Sequence, residues 1–312
     1  MKNINSCIGQ SVNRYIDFIN DKEEYLYSTF NDLDKVLYGF RPGQLSVISS
    51  IPGVGKTAFV LSMLYRMSFL KFTSVEYITT ESKIEQISDR LIQIAIDKDL
   101  NQIKAMKDLE FRELCEKKLL FDCMPFDINS TLQPLESYED ICNKIIRLVK
   151  EKNVECVCID NLQGLWLKDR TVLPNEENEL KAIVYDLKRL AVELNIHIFL
   201  VSNMMDPGIY SEYYSSQYFT KWMDQSGDNN ACSQVSDVFI LLDRPEVYDI
   251  YEDSKGNDLR GILKVNVIKN RNGESGKVNL RFRSGRVTEI SITIPPSPTG
   301  YMNDIINEDG PF

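Results

Sequence analysis

Residues 50–57 of the chain read Ser50, Ile51, Pro52, Gly53, Val54, Gly55, Lys56 and Thr57. Two glycines, a lysine and a hydroxyl at this spacing suit the binding of a triphosphate. The N–H groups of a Gly-rich turn, followed by a helix N-terminus, present positive potential to phosphate oxygens. Gly53 and Gly55 let the backbone turn tightly and approach those oxygens. Lys56 can reach β- and γ-phosphates, and Thr57 Oγ is placed to ligate Mg2+. The general P-loop pattern has Gly where this chain has Ser50. An ordinary Gly-rich βα turn is the alternative, and the apolar run before the loop and the helical run after it weigh against that alternative.

A bound nucleotide needs an acidic partner for its metal. Asp160 ends the apolar run that begins at Glu155, as a Walker-B aspartate does. In open α/β sheets ligands sit at the carboxyl ends of strands. Glu81 follows the run Val75 to Thr79 and so falls on the same sheet edge. A carboxylate there can hold an attacking water, or it can serve as a charge at a helix start. Lys269 and Arg271 lie on a strand and its hairpin turn. Basic residues at such a tip are usually solvated; the alternative is a pair of fingers that reach a γ-phosphate held by an adjacent subunit. The single histidine, His197, sits in the apolar run Ile196 to Val201 and reads as a satisfied strand residue rather than a base.

The elements that position these groups alternate. Residues 45–49 read as a buried strand, Ala58 to Phe69 as a helix, and Ser74 to Thr79 as a second strand. Ser82 and Glu85 have capping-box spacing ahead of an amphipathic helix carrying Ile84, Ile87, Leu91 and Ile94. Residues 97–120 are charged and helical in pattern. A helix over Glu139 to Lys150 precedes the Asp160 strand. The helix Glu176 to Leu194 shows the clearest apolar face and leads into the strand Ile196 to Ser202. This alternation implies an α/β fold with a mainly parallel twisted sheet and helices on both faces, and together with the loop at 50–57 it resembles the RecA-like P-loop NTPases. Strands over Val238 to Leu242, Gly261 to Ile268 and Lys277 to Phe282 follow, the last two joined as a hairpin by the turn Asn270 to Gly273. The expected division is an arm over 1–28, the ATPase domain over 29–292 and a Pro-containing tail over 293–312. Val12, Tyr15, Ile16 and Ile19 give the arm a narrow helical stripe, which suits packing on its own domain or docking on a neighbour.

The 312 residues carry a net charge of −10, which argues against a broad nucleic-acid coat but not against a local basic channel. Seven scattered cysteines, with no paired C-x-x-C spacing, read as thiols in a reducing cytoplasm. No stretch is apolar for long enough to span a membrane, and the N-terminus lacks a signal core, so a cytoplasmic protein is expected.

Five segments in order then resemble the ATPase domain of DnaB-type replicative helicases. They are Phe30 to Asp34 with Tyr38 to Leu45, the P-loop, Ile78 to Ser82, Cys158 to Gln163, and Val267 to Gly273. The resemblance covers roughly residues 28–290. It implies ATP and Mg2+ as ligands, Glu81 as the catalytic glutamate, and Lys269 and Arg271 acting in trans. It also implies a ring of subunits, usually a hexamer, moving along single-stranded DNA, and the helix within 6–20 as the linker helix that packs on the next subunit.

Three departures stand out. Fewer than 30 residues precede the ATPase core, so the family's primase-binding N-terminal domain is not expected. Asn203 stands where the family has a γ-phosphate-sensing Gln. The DNA-facing segment Met204 to Asp224 is aromatic, with Tyr210, Tyr213, Tyr214, Tyr218, Phe219 and Trp222, but has one Lys and no Arg. Aromatic stacking suits single-stranded bases, whereas scarce cations do not. An ATP-driven helicase or translocase is therefore the leading expectation. A RecA-like ATPase switch or assembly factor of a mobile element or phage, without unwinding, is the other.

Overall fold

A computed structural model describes residues 8, 11–13, 15–16, 20, 25–119, 124–132, 135–168, 176–204 and 227–290. Helix α1 (Asn31–Leu37) precedes β1 (Leu45–Ser50), α2 (Lys56–Lys71), β2 (Val75–Thr79) and α3 (Ile84–Ile96). The short α4 (Leu100–Lys104) and α5 (Asp108–Leu119) lead to β3 (Phe126–Ser130), α6 (Tyr138–Lys152) and β4 (Cys156–Asp160). Then come α7 (Glu176–Leu194), β5 (His197–Asn203), α8 (Gly227–Val235) and β6 (Val238–Asp243). The chain closes with β7 (Ile262–Asn270), β8 (Gly276–Arg283) and β9 (Arg286–Glu289).

These strands form one nine-stranded sheet in the order β3-β2-β4-β5-β1-β6-β7-β8-β9. The pairs from β3 to β6 are parallel, and those from β6 to β9 antiparallel. The expected mainly parallel α/β sheet with a C-terminal hairpin is thus the one found. Every residue of β1, β2, β4 and β6 is buried, as in strands covered on both faces. Helix α2 is apolar nearly all round because it packs on α3 and β9 as well as on β1. Its buried Phe59, Leu61, Met63 and Leu64 each contribute about 1.5–3 kcal/mol by leaving water. The hydroxyl of Ser62 accepts the Val287 N–H at 3.0 Å and so fixes β9 on the same helix. Helices α7 and α8 pack together and against β1, and α6 packs on α7.

Some expectations need correction. The box at Ser82 and Glu85 is displaced by one residue, because the Ser82 N–H is already donated to Thr79 Oγ1 at 3.0 Å to close the turn after β2. Helix α3 starts at Ile84, and Gln86 Oε1 reaches back to the Lys83 N–H at 3.1 Å. The helical stretch 97–120 is divided, since Asp97 adopts a left-handed conformation and α4 ends at Lys104, with Ala105 as its C-cap. Strands β3 and β9 and helix α1 were not expected. In the arm, Val12, Tyr15 and Ile16 are helical and exposed. Ile8, Ser11 and Asn13 are helical as well; residues 6–7, 9–10, 14 and 17–19, the aromatic segment 205–224 and the tail 293–312 lie outside the described residues, Cys7 among them, as does Cys123. The described cysteines Cys115, Cys142, Cys156, Cys158 and Cys232 are free thiols. Among the described residues no helix is long and apolar enough to cross a membrane.

Candidate nucleotide site

Four parallel strands, β2-β4-β5-β1, end on one rim. The register places Thr79 beside Asp160 and Ser50 beside Asn203. The P-loop, Glu81, Asp160 and Asn203 therefore leave the sheet at the same edge.

The loop enters from β1 and passes directly into α2, whose first residue is Lys56. Gly53 and Gly55 have φ values of 85° and 115°, which L side chains rarely adopt. At Gly55 a Cβ would also lie 2.7 Å from Phe282 Cε2. Ile51 and Val54 turn into the core while Pro52 and Gly53 stay exposed. Lys56 Nζ donates to Ser50 O at 3.1 Å, Ile51 O at 3.2 Å and Ser50 Oγ at 3.3 Å. All three acceptors are neutral, so a buried cation is held beside the loop without an ion pair. Burial pushes its pKa down to about 8, and the charges of Asp160 and Glu81 oppose that shift. This is a fit for an anionic group such as a phosphate. Ser50, where the general pattern has Gly, helps to seat the lysine, and its hydroxyl donates to Ile51 O at 2.8 Å.

Asp160 Oδ2 accepts from Thr57 Oγ1 at 2.8 Å and from Tyr77 Oη at 2.5 Å. Burial pushes the Asp160 carboxyl up, the Tyr77 and Thr57 bonds pull it down, and Glu81 adds to the rise. With its proton given to Asp160, Thr57 Oγ1 keeps its lone pairs for a cation, which fits Mg2+. Glu81 is exposed, and its charge is felt at both Lys56 and Asp160. Thr80 ties the two strand ends together. Its N–H donates to Asp160 O at 2.7 Å, and its hydroxyl donates to Asn161 O at 3.0 Å. At Gly164 a Cβ would fall 2.2 Å from Thr80 Oγ1, so only glycine fits there. Gln163 in turn holds Asn203, accepting its N–H at 2.9 Å and donating to its carbonyl at 3.2 Å.

Tyr77, Thr80, Arg244 and Phe282 were not singled out from the sequence. Arg244, just past β6, donates from Nη2 to Gly53 O at 3.0 Å. Its guanidinium lies 4.0 Å from the centroid of the Phe282 ring that closes on Gly55. The only local signal was the position of Arg244 after an apolar strand. His197 is a satisfied core residue, as expected: Nδ1–H donates to Arg41 O and Nε2 accepts from Ser46 Oγ, both at 2.9 Å.

Among known protein families, the DnaB-like helicase C terminal domain matches residues 26–289. The chain belongs to this family. It is 23% identical over 270 residues to the replicative DNA helicase DnaB of Haemophilus influenzae, covering 81% of this chain and 52% of that protein. It is 28% identical over 285 residues to the DnaB of Mycoplasma genitalium, covering 88% of this chain and 58% of that protein. The chain thus spans about half the length of the curated relatives it matches. Its fold is similar to a separately solved ATPase domain, with a TM-score of 0.71 at 22% identity over 91% of this chain and 98% of that one. A DnaB-like replicative helicase solved with reference to its interactions with primase gives a TM-score of 0.72 at 23% identity, covering 88% of this chain and 66% of that one.

In this DnaB-like domain Lys269 and Arg271 do not join the other candidate residues. Lys269 pairs with Phe239 near the start of β6, and β6 runs parallel to β1. They therefore sit on the opposite rim, the length of a six-residue strand away from the loop, roughly 20 Å. They are also not simply solvated. Lys269 Nζ donates to Ser233 O at 2.7 Å and Gln234 O at 2.8 Å, two carbonyls in the last turn of α8. Burial, then the neighbouring Arg271, lowers the Lys269 pKa. Arg271 donates to Gln234 O at 3.2 Å and to Asp237 Oδ1 at 3.4 Å, and its side chain remains half exposed.

Proposed function

We propose that the chain is an ATP-driven translocase that hydrolyses ATP between adjoining copies in a ring, a hexamer by family likeness, and acts on single-stranded DNA. The observation that carries this reading is the separation of two sets of groups. Lys56, Thr57, Glu81 and Asp160 share one rim, while Lys269 and Arg271 stand on the other. A γ-phosphate on the loop lies beyond the reach of this chain's own Arg271, which supports a second copy as the source of that group.

The residues divide the work as follows. Loop amides over Ser50 to Gly55 cradle the phosphates, and Lys56 neutralises the β- and γ-oxygens. Thr57 and Asp160, joined by a hydrogen bond at 2.8 Å, would hold Mg2+, which would supply charge neutralisation on the same oxygens. Glu81 orients and deprotonates the attacking water, and Asn203, fixed by Gln163, senses the γ-phosphate. Lys269 and Arg271 of a neighbour stabilise the charge that develops in transfer. The exposed Val12, Tyr15 and Ile16 suit docking of the arm on that neighbour. The cytoplasm and a reducing environment agree with this chemistry and with the free thiols.

The test is ATP turnover with and without single-stranded DNA across a range of lengths and salt. The reading predicts stimulation that falls steeply with salt, and turnover lost in both Lys56→Ala and Arg271→Ala, with nucleotide binding lost only in the former. One feature favours the second reading, a nucleotide-dependent switch without unwinding: the segment Met204 to Asp224 has one Lys and no Arg. Turnover that ignores DNA at low salt selects the switch.

A further inference from the structure

The rim that carries Arg271 contains a buried carboxylate to which the reaction above assigns nothing. Asp237 lies between α8 and β6 and is 4% exposed. Its Oδ2 accepts the Leu45 N–H at 2.9 Å and Lys188 Nζ at 2.7 Å. Its Oδ1 accepts from Arg271 Nη1 at 3.4 Å. The main chain repeats both links: the Asp237 N–H donates to Leu45 O at 2.8 Å, and the Asp237 carbonyl accepts the Arg271 N–H at 2.9 Å. Alongside, Gln44 and Asn272 exchange amide bonds at 2.9 and 2.8 Å. One carboxylate thus joins the first residue of β1 to the loop that bears Arg271.

We propose that Asp237 is a positioning residue that aims Arg271 at the nucleotide of the adjoining copy and braces it on β1, whose far end carries this copy's own P-loop. The inference rests on Arg271 acting in trans. Two features favour aiming over simple neutralisation. Lys188 already pairs with the carboxylate, and Lys188, Lys269 and Arg271 together outnumber it, so the rim keeps the positive charge an incoming phosphate needs. Arg271 offers five N–H donors, and among the described residues two side-chain contacts hold it, so the half-exposed guanidinium is oriented with donors left over for binding. A side chain locked by two other donors is a firm support for a group that must meet its target within a fraction of an ångström.

The experiment coassembles Asp237→Asn with Lys56→Ala. Asp237→Asn alone is expected to lower kcat about tenfold or more with nucleotide affinity unchanged, the pattern of an interaction made only in the transition state. In an equal mixture about one quarter of randomly formed interfaces pair an intact loop from the Asp237→Asn copy with an intact finger rim from the Lys56→Ala copy. Turnover should then recover towards about a quarter of wild type, above either parent. A mixture no better than its parents overturns the proposal, as does wild-type kcat in Asp237→Asn alone. The Arg271→Ala and Lys56→Ala mixture separates the two failures. If that control does not recover, the trans reading itself is wrong. If it recovers and the Asp237 mixture does not, only the role of Asp237 falls. Should Asp237→Asn not fold, Asp237→Asn with Lys188→Met removes the buried carboxylate and its partly exposed partner charge together and takes its place in the same mixture.

Discussion

Tyr77→Phe removes one oxygen and leaves the ring in place. Tyr77 is fully buried, and its hydroxyl gives Asp160 Oδ2 the shorter of two hydrogen bonds, 2.5 Å against 2.8 Å from Thr57. Ring packing against Phe126, with centroids 6.5 Å apart, is kept. A hydrogen bond to a charged acceptor contributes about 1.5–3 kcal/mol, so unfolding free energy near neutral pH should fall by about that amount. The pH dependence has a defined sign. Burial raises the folded pKa of Asp160 above its ordinary 3.8, and the Tyr77 bond pulls it down. Asp160 therefore costs stability as pH rises from 3.8 through its folded value, and losing the hydroxyl raises that value further. Below the folded value the carboxyl is neutral, and the penalty should shrink to that of a neutral pair, about 1 kcal/mol. Urea unfolding of both proteins at about pH 7.5 and at about pH 3.5, below the ordinary value, measures it. A penalty below about 0.5 kcal/mol at neutral pH, or one equal at both pH values, would show that Tyr77 does not hold a carboxylate there.

Three further outcomes are expected. Glu81→Gln should bind a fluorescent nucleotide as wild type does while turnover falls by about two to three orders of magnitude; unchanged turnover removes Glu81 from the chemistry. Gly55→Ala should cost about 1–3 kcal/mol in denaturant unfolding, from a backbone conformation suited to glycine and a Cβ 2.7 Å from Phe282. Adding Phe282→Leu should relieve only the steric part, and full rescue would refute the backbone share. His197 is held neutral by burial, with its pKa lowered from 6.5 to about 4. Its contribution to stability is complete above 6.5 and is lost as pH falls through about 4, so acid unfolding should steepen across that window and be blunted in His197→Asn.

Much of this was legible in the sequence because it is local. Helix α7 coincides with the apolar stripe over Glu176–Leu194 because its buried face repeats from Leu180 to Ala191. The family likeness, carried by short segments in order, is borne out by a match that spans residues 26–289. The P-loop and Asp160 each carry their own signal beside an apolar strand. What stayed hidden depends on strand order. Tyr77 meets Asp160 only because β2 and β4 are neighbours, and Gln163 meets Asn203 only because β4 and β5 are. Arg244 and Phe282 reach the loop from the C-terminal part of the chain. Strand β3 is a half-buried edge with polar Asp127, Asn129 and Ser130, and β9 is four residues long, so neither shows a clear period. Lys269 looked like a free tip residue because the helix end it caps comes more than thirty residues earlier.

The claim on which the rest depends is that a complete reaction centre needs two copies of the chain. ATP turnover per protomer, followed by dilution through the assembly range with light scattering on the same samples, tests it most directly. The account predicts turnover per protomer that collapses as the assembly dissociates while nucleotide binding persists. Turnover per protomer that stays constant down to the isolated chain would contradict it.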